Sequence, residues 1–445
     1  MGGDLTAGKN KKMKVQNQAM VGGGNGVEPK ILLGNTIDGT GRSLHLNVDK
    51  PHNIAIIGPS GTGKTMLLSV LGEGLILKEN GLIKNFNRSM PLIVLDLLGN
   101  MHGLKKIDPD SETAALLNQD NFSENVSLNY IPSYVSDHEG GNYEESIGFN
   151  RLTVDFSKIT EAEVCELLKI SLLRDTNMAN IVKMVIKNKP QNPSEFYQDL
   201  VQLRENPAMP DNLANALDKV IFRAADLLRY SIFKWNGEED IISELKERKS
   251  VVVNCEKSLM EAKEVTNMWI RLALNRLKTE RRKANDSETQ KLYFGTQIDF
   301  TDKLPSFWLA IDEVHRLNET TKEAYSDFVR TARNWNCSTI VSTQCVDDID
   351  KDTRKNLTVM FLGRMSEKEA LKALKDFPIP INPKRVLNRI QDLMPGQFLV
   401  LDKISGEYFY LNTRERVTQH LGATRSATEL MGLYDAKGME MEVLA

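Results

Sequence analysis

Short apolar runs recur along this chain, each closed by a turn or an acid, and stretches of helical spacing separate them. ILLG (31–34) and SLHLNV (43–48) flank the Gly-rich DGTG (38–41), which predicts a β-hairpin. NIAII (53–57) predicts a buried strand, followed by a Gly-rich loop and a helix from Lys64 to about Lys78. PLIVLD (91–96), VVVN (251–254), FWLAID (307–312) and STIVST (338–343) predict further strands, with LTVDF (152–156) a weaker one. Short, nearly continuous apolar strands alternating with helices imply an α/β fold, its mostly parallel sheet covered on both faces.

Between residues 157 and 245 the pattern is almost entirely helical. Thr160 and Glu163 form a capping-box signature ahead of Val164, Leu167 and Leu168. Pro190, Pro193, Pro207 and Pro210 divide the stretch into several short helices. A second box, Ser258 to Glu261, is expected to open a long helix carrying Val265, Met268, Trp269, Leu272 and Leu277, which then ends in a polar loop at 285–290. Residues 1–27, rich in Gly, Lys, Asn and Gln and including Lys9, Lys11, Lys12 and Lys14, read as a flexible tail. Residues 426–445 read as a C-terminal tail.

The formal net charge of the 445 residues is −3, which gives no electrostatic case for whole-surface nucleic-acid binding and leaves room for a local basic channel. No apolar run reaches the ~20 residues that span a bilayer, and the N-terminus lacks the apolar stretch of a secretory signal. Cys165, Cys255, Cys337 and Cys345 are scattered without metal-ligand spacing, so they read as small buried hydrophobes, reduced in a cytoplasmic chain.

The chemistry is concentrated at strand ends. Gly58, Pro59, Ser60, Gly61, Thr62, Gly63, Lys64 and Thr65 match G-x-x-x-x-G-K-[ST] between a strand and a helix, with Met66 next along the helix. Such glycines let backbone N–H groups turn inward around phosphate oxygens, and the helix N-terminus adds positive potential. Lys64 is expected to reach the β- and γ-phosphates of ATP and the Thr65 hydroxyl to ligate Mg²⁺. FWLAIDE ends in Asp312 and Glu313; two carboxylates closing a buried strand are costly unless a cation or a catalytic duty awaits them. Asp312 is therefore assigned to Mg²⁺ and Glu313 to the attacking water. Gln344, at the end of STIVSTQ, is placed to hydrogen-bond the γ-phosphate or that water.

Together these residues resemble the HerA/FtsK superfamily of P-loop ATPases, which includes the type IV secretion and conjugation ATPases. The resemblance rests on GPSGTGKT (58–65), IVLDLLGN (93–100), IDEVHRL (311–317) and RTARNWNCSTIVSTQCVDDI (330–349), with His52 just before the first core strand. Asn336 stands where FtsK-type sequences usually have Gly, and Asn100 replaces the acid of the HerA-like D-x-x-G-E stretch. The resemblance implies a RecA-like fold, with a core at 28–156 and 246–425 and a helical insertion at 157–245. It also implies a homo-hexameric ring in which an arginine of one subunit completes its neighbour's site. Arg333 matches that finger best and Arg330 second; Arg364, at a strand end in FLGR, is a further nucleotide-proximal candidate.

HerA and FtsK relatives pump double-stranded DNA, whereas the secretion relatives energise transfer of DNA or protein at a membrane. The expected activity is accordingly an ATP-driven DNA translocase. The alternative is a secretion- or conjugation-type ATPase that does not itself grip DNA. Arg276, Lys278, Arg281, Arg282 and Lys283 crowd one helix end, either as a DNA contact or as a solvated face suited to the helix dipole. The roughly 50 residues before the phosphate loop are too few for the β-barrel usual in HerA proteins. The expectation is a motor core whose partner, a nuclease or a membrane-channel subunit, supplies recognition or a peripheral membrane dock.

Overall fold

The structure is a computed structural model and describes residues 18–23, 29–76, 83–84, 90–112, 123–133, 145, 147–207, 209–233, 241–377 and 383–420. The apolar runs enter one 14-stranded sheet. Its strands are β1 (Gln18–Val21), β2 (Lys30–Thr36), β3 (Ser43–Asn47), β4 (Asn53–Ile57), β5 (Ile83–Lys84), β6 (Leu92–Asp96) and β7 (Val126–Tyr130), followed by β8 (Asn150–Arg151), β9 (Ser250–Asn254), β10 (Trp308–Asp312), β11 (Ser338–Thr343), β12 (Val359–Leu362), β13 (Gln397–Asp402) and β14 (Glu407–Thr413). They lie in the order β1-β3-β2-β14-β13-β12-β4-β11-β10-β6-β9-β7-β8, with β5 paired to β2. From β12 to β8 every pairing is parallel; β2, β3, β13 and β14 form the antiparallel half.

Strands β4, β6 and β10 are almost continuously apolar because both faces are buried. Ala55, Ile57, Ile93, Leu95, Leu309 and Ile311 enter one core cluster, and Ile54, Ile56, Leu92, Val94, Trp308 and Ala310 the other, so alternate residues serve opposite layers. Helix α1 (Lys64–Ile76) covers the second face through Leu67, Leu68, Leu71 and Leu75. Its fully buried Glu73 fastens the segment after β14: Oε1 accepts from Val417 N (2.7 Å) and Thr418 N (2.8 Å), and Oε2 pairs with Arg414 Nη1 at 2.8 Å.

Between β8 and β9 lie α2 (Glu161–Leu167), α3 (Thr176–Ile186), α4 (Pro193–Arg204), α5 (Asp211–Ala224) and α6 (Ile241–Lys246). Their apolar residues Phe196, Leu200, Leu217 and Val220 join the core cluster of the first sheet face. The Thr160–Glu163 capping box is present at α2, Pro193 starts α4 and Pro210 is the N-cap of α5. Downstream come α7 (Glu256–Glu261), α8 (Lys263–Phe294), α9 (Glu319–Ala332), α10 (Lys351–Asn356), α11 (Glu367–Asp376) and α12 (Pro383–Ile390).

Several expectations need correction. Residues 152–156 are not a strand: Val154 makes only an isolated bridge to Phe233, and Asp155 caps a 3-10 turn over Phe156–Lys158 through Ser157 N. The strand in this region is the short β8 just ahead of it, which pairs with β7, whose Ser127 and Asn129 interrupt its apolar pattern. Ser258 and Glu261 do not cap the long helix. Ser258 lies inside α7 and donates to Cys255 O, and α8 starts after Ala262 with no side-chain cap. Residues 285–290 are helical, because α8 runs on to Gly295, whose left-handed φ of 66° terminates it. Residues 18–21, assigned to the tail, pair with β3 in parallel; the rest of that tail up to residue 17, residues 24–27 and the stretch 426–445 lie outside the described residues. Cys345 is exposed, while Cys165, Cys255 and Cys337 are buried.

Candidate functional site

Strands β12, β4, β11, β10 and β6 run parallel and side by side, so their C-terminal ends share one edge of the sheet. That edge gathers the phosphate-loop pattern, Gln344, Asp312 and Glu313. In open α/β sheets ligands lodge at this edge.

The loop after β4 is shaped by backbone constraints. Gly61 and Gly63 have φ of 80° and 93°, conformations that L side chains rarely adopt. Gly63 is also crowded: a Cβ there would stand 2.7 Å from Gly396 N. Thr62 closes the loop on itself through Oγ1 to Pro59 O (2.8 Å), and its own carbonyl accepts Gly396 N at 2.9 Å. The turn ahead of β13 therefore braces the loop from outside. Lys64 is buried, with Nζ 3.3 Å from Pro59 O. Thr65 and Met66 are half-buried in the first turn of α1.

Lys64 Nζ also stands 3.3 Å from Glu313 Oε1, and both side chains are almost fully buried. Glu313 holds a left-handed backbone (φ 58°, ψ 55°) that starts a 3-10 turn, Val314–Arg316. A glutamate in this region is strained and is kept there by its surroundings. Arg316 N donates to Glu313 O at 3.0 Å, and the Arg316 guanidinium donates to Leu97 O. His315 Nδ1 is 3.1 Å from Glu313 Oε2 but makes no hydrogen bond to it.

Asp312 is fully buried, and neither carboxylate oxygen has a hydrogen-bond partner among the described residues. Burial, together with the neighbouring Asp96 and Glu313 carboxylates, pushes its pKa up to about 6; the nearby Ser342 hydroxyl, without forming a well-made bond, and Lys64 act in the other direction. Asp96 is its register partner on β6. Burial raises Asp96 to about 6 as well, against the backbone N–H groups of residues 98–101 that it faces, of which Met101 N is at 2.7 Å. Asp96 was not singled out from the sequence, although LIVLD carries the same apolar-run-then-acid signal as FWLAID.

Gln344 is half-buried at the end of β11, between the loop's strand and the acid strand. Arg364 follows β12 and lines a cleft with Pro59, Ser60, Gly61 and Thr62. Arg330 and Arg333 are not brought to this edge. They close α9 at the opposite end of β11, where the charge of Arg333 acts on the buried His52 ahead of β4. Arg330 pairs with Asp327 at 2.8 Å, and Arg333 is exposed. Asn336 adopts φ 61° in the turn into β11, a conformation that glycine takes freely and asparagine tolerates, so its departure from the FtsK-type pattern keeps the turn.

The family model described as the central domain of the helicase HerA matches residues 31–277, more than half of the chain. The chain belongs to the HerA central-domain family. This HerA-type chain is a P-loop ATPase, and its phosphate loop is a nucleotide-binding loop. The matched span holds the loop and Asp96 but ends before Asp312, Glu313 and Gln344.

Among solved structures the HerA-type chain is similar to VirB4 of Thermoanaerobacter pseudethanolicus, at 12% identity and a TM-score of 0.52, covering 93% of this chain and 100% of that one. It is also similar to the bacterial conjugative coupling protein TrwB lacking its N-terminal 70 residues, at 13% identity and a TM-score of 0.52, covering 93% of each chain. A TrwB structure with the non-hydrolysable GTP analogue GDPNP gives 14% identity and a TM-score of 0.51 over 83% of this chain and 88% of that one. At these identities the likeness establishes the RecA-like fold. Among curated proteins none matches the chain. No helix among the described residues is long and apolar enough to cross a membrane.

Proposed function

We propose that the chain is an ATP-hydrolysing ring motor that translocates double-stranded DNA. The observation that carries the hydrolytic part is the approach of Lys64 to Glu313, 3.3 Å apart, because it puts a phosphate-binding cation and a candidate base against one small volume. Lys64 and the inward N–H groups of Gly61 to Lys64 hold the β- and γ-phosphates. Glu313, released from Lys64 when phosphate oxygens take that cation, orients and polarises the attacking water. Gln344 hydrogen-bonds the γ-phosphate or that water.

The donor set also fits Mg²⁺. Asp312 presents two buried carboxylate oxygens that nothing else satisfies, and the Thr65 hydroxyl opens the helix beside the loop. When bound, the ion neutralises charge on the phosphates. Asp312 and Thr65 are the residues that would hold it.

The arginine required for charge on the transferring phosphoryl group comes from a second copy, Arg333 first and Arg330 second. Their position at the far end of β11 supports this, since neither reaches the loop of its own chain. Residues 28–156 and 246–425 form the motor core and 157–245 an insertion. DNA as the cargo is supported by membership of the HerA helicase central-domain family. The likeness in fold to VirB4 and to a conjugative coupling protein supports a second reading, in which a protein or membrane apparatus rather than DNA stimulates the motor.

The test is the ATPase rate of the full chain with and without duplex DNA across a salt series, alongside particle size with bound nucleotide. Stimulation that falls steeply with salt is expected. A rate indifferent to duplex and single-stranded DNA at low salt removes the translocase reading. Recovery of membrane-channel subunits in a pull-down then favours the second one.

A further inference from the structure

A cleft of about 540 Å³ opens on the β12 side of the phosphate loop, away from the acids. Besides loop residues 59–62, it is lined by Arg364, Met365, Ser366, Gln391 and Pro395. Arg364 is its one charged lining residue. Gln391 is its one side-chain amide, exposed and without a hydrogen-bond partner among the described residues.

Both side chains stand on backbone tied to the loop. Gly363 N, next to Arg364, donates to Ile57 O at 2.8 Å, at the end of the strand that feeds the loop. Gln391 begins the turn that reaches Gly396, whose N–H is held by Thr62 O and whose carbonyl accepts Thr413 N at 3.0 Å. Helix α12, just before Gln391, is pinned by Arg389, which lies 4.1 Å over the Tyr410 ring and donates to Ile37 O at 2.5 Å. The amide is thus presented to the cleft from a fixed support, as a selective contact requires.

A triphosphate has two ends. With the γ end directed to Glu313 on the β10 side, the nucleoside leaves the loop on the β12 side, where this cleft is. We propose that the cleft is the nucleoside pocket, in which Gln391 hydrogen-bonds the edge of the base and Arg364 holds the phosphate nearest the sugar. The proposal rests on the nucleotide-hydrolysis reading above and adds the determinant of base selectivity. An amide offers both a donor and an acceptor, which matches the N6 amino group and ring nitrogen of adenine. A carboxylate accepts only, so it opposes that adenine nitrogen and suits the N1–H and amino group of guanine.

The experiment measures equilibrium binding of ATP, GTP and inorganic tripolyphosphate to the full chain and to three variants. Gln391→Ala is expected to weaken ATP about 10-fold, the worth of one hydrogen-bonded contact, while tripolyphosphate binds as before. Gln391→Glu is expected to move the ATP-to-GTP preference toward GTP by about 10-fold or more. Arg364→Gln is expected to weaken ATP and tripolyphosphate together. An unchanged ATP-to-GTP ratio in both Gln391 variants overturns the pocket assignment, as does equal loss of ATP and tripolyphosphate in Gln391→Ala. Lys64→Ala separates the two readings: retained tripolyphosphate binding there overturns the phosphate-loop reading itself and the pocket with it. Its loss, with Gln391 variants still indifferent to the base, overturns the pocket alone.

Discussion

Asp312 and Asp96 face each other in register on adjacent parallel strands, both fully buried, yet only Asp96 is satisfied by backbone N–H groups. Two such carboxylates repel when ionised, and burial adds to the cost. A carboxyl whose folded pKa is raised from 3.8 to about 6 binds its proton more tightly in the folded chain. Its favourable contribution is complete below about pH 3.8 and is lost as pH rises through about 6. In EDTA and without nucleotide, Asp312→Asn should therefore raise the melting temperature at pH 7.5 by about 2–4 °C, with the gain shrinking toward pH 4.5. The same variant should lose Mg²⁺-dependent turnover. A melting temperature unchanged at both pH values contradicts the reading of Asp312 as a strained, unpartnered acid.

Lys64 and Glu313 touch one another, but the duties proposed for them are separable. Lys64→Ala should abolish nucleotide binding, and with it turnover. Glu313→Gln should keep ATP bound while lowering kcat by about 10²- to 10⁴-fold. Titration with a fluorescent ATP analogue beside steady-state hydrolysis resolves the two; near-normal turnover in Glu313→Gln removes its water-activating role.

Gly63 meets Gly396 so closely that a methyl group has no room, and its φ of 93° strains any other residue. Gly63→Ala should push the loop off the turn ahead of β13 and weaken ATP at least about 10-fold, while the sheet persists by circular dichroism. Retained affinity means that the brace does not shape the loop.

Glu73 shows the opposite economy to Asp312, a buried carboxylate with every partner in place. Glu73→Ala strands Arg414 and the N–H groups of Val417 and Thr418. A loss of about 3–5 kcal/mol in urea unfolding is expected, with faster proteolytic cleavage after Thr413.

Arg281 sat in the basic cluster considered for DNA, but it is 1% exposed and makes a bidentate pair with Glu288 plus bonds to Trp335 O, Leu304 O and Ser306. Arg281→Ala should cost about 3–5 kcal/mol of stability. Arg282→Ala is expected to leave the melting temperature within about 1 °C and is the variant with which to test DNA stimulation.

The central strands that were legible share one property: each is buried on both faces, so its run is almost entirely apolar. NIAII, LIVLD and WLAID are of this kind, while STIVST is buried with only Ile340 and Val341 apolar, and the candidate site could be proposed from the sequence because its residues terminate these strands. Burial alone does not guarantee that signature. In β7, VSLNY places Ser127 and Asn129 in a polar cluster with Glu244, which the apolar pattern cannot reveal. The capping sequence at Ser258 failed because a local motif was free to serve as a short helix of its own. Asp96 was missed for want of its neighbour: a lone acid at the end of β6 acquires meaning only when the register sets Asp312 beside it. Gln391 carries no signal of its own in the sequence for the same reason, since only the fold brings it to the cleft beside the loop.

The brace between Thr62 and Gly396 also sets a timetable. The loop sequence leaves the ribosome well before Gly396, but its strand waits for both flanking neighbours, β11 and β12, and for the turn that locks it. At about 5–20 residues per second, tens of seconds pass between the two events. Throughout that interval the strand that feeds the loop lacks the neighbours that cover it, and the loop lacks the turn that braces its shape, so the cradle is completed only after the segment around Gly396 has been made.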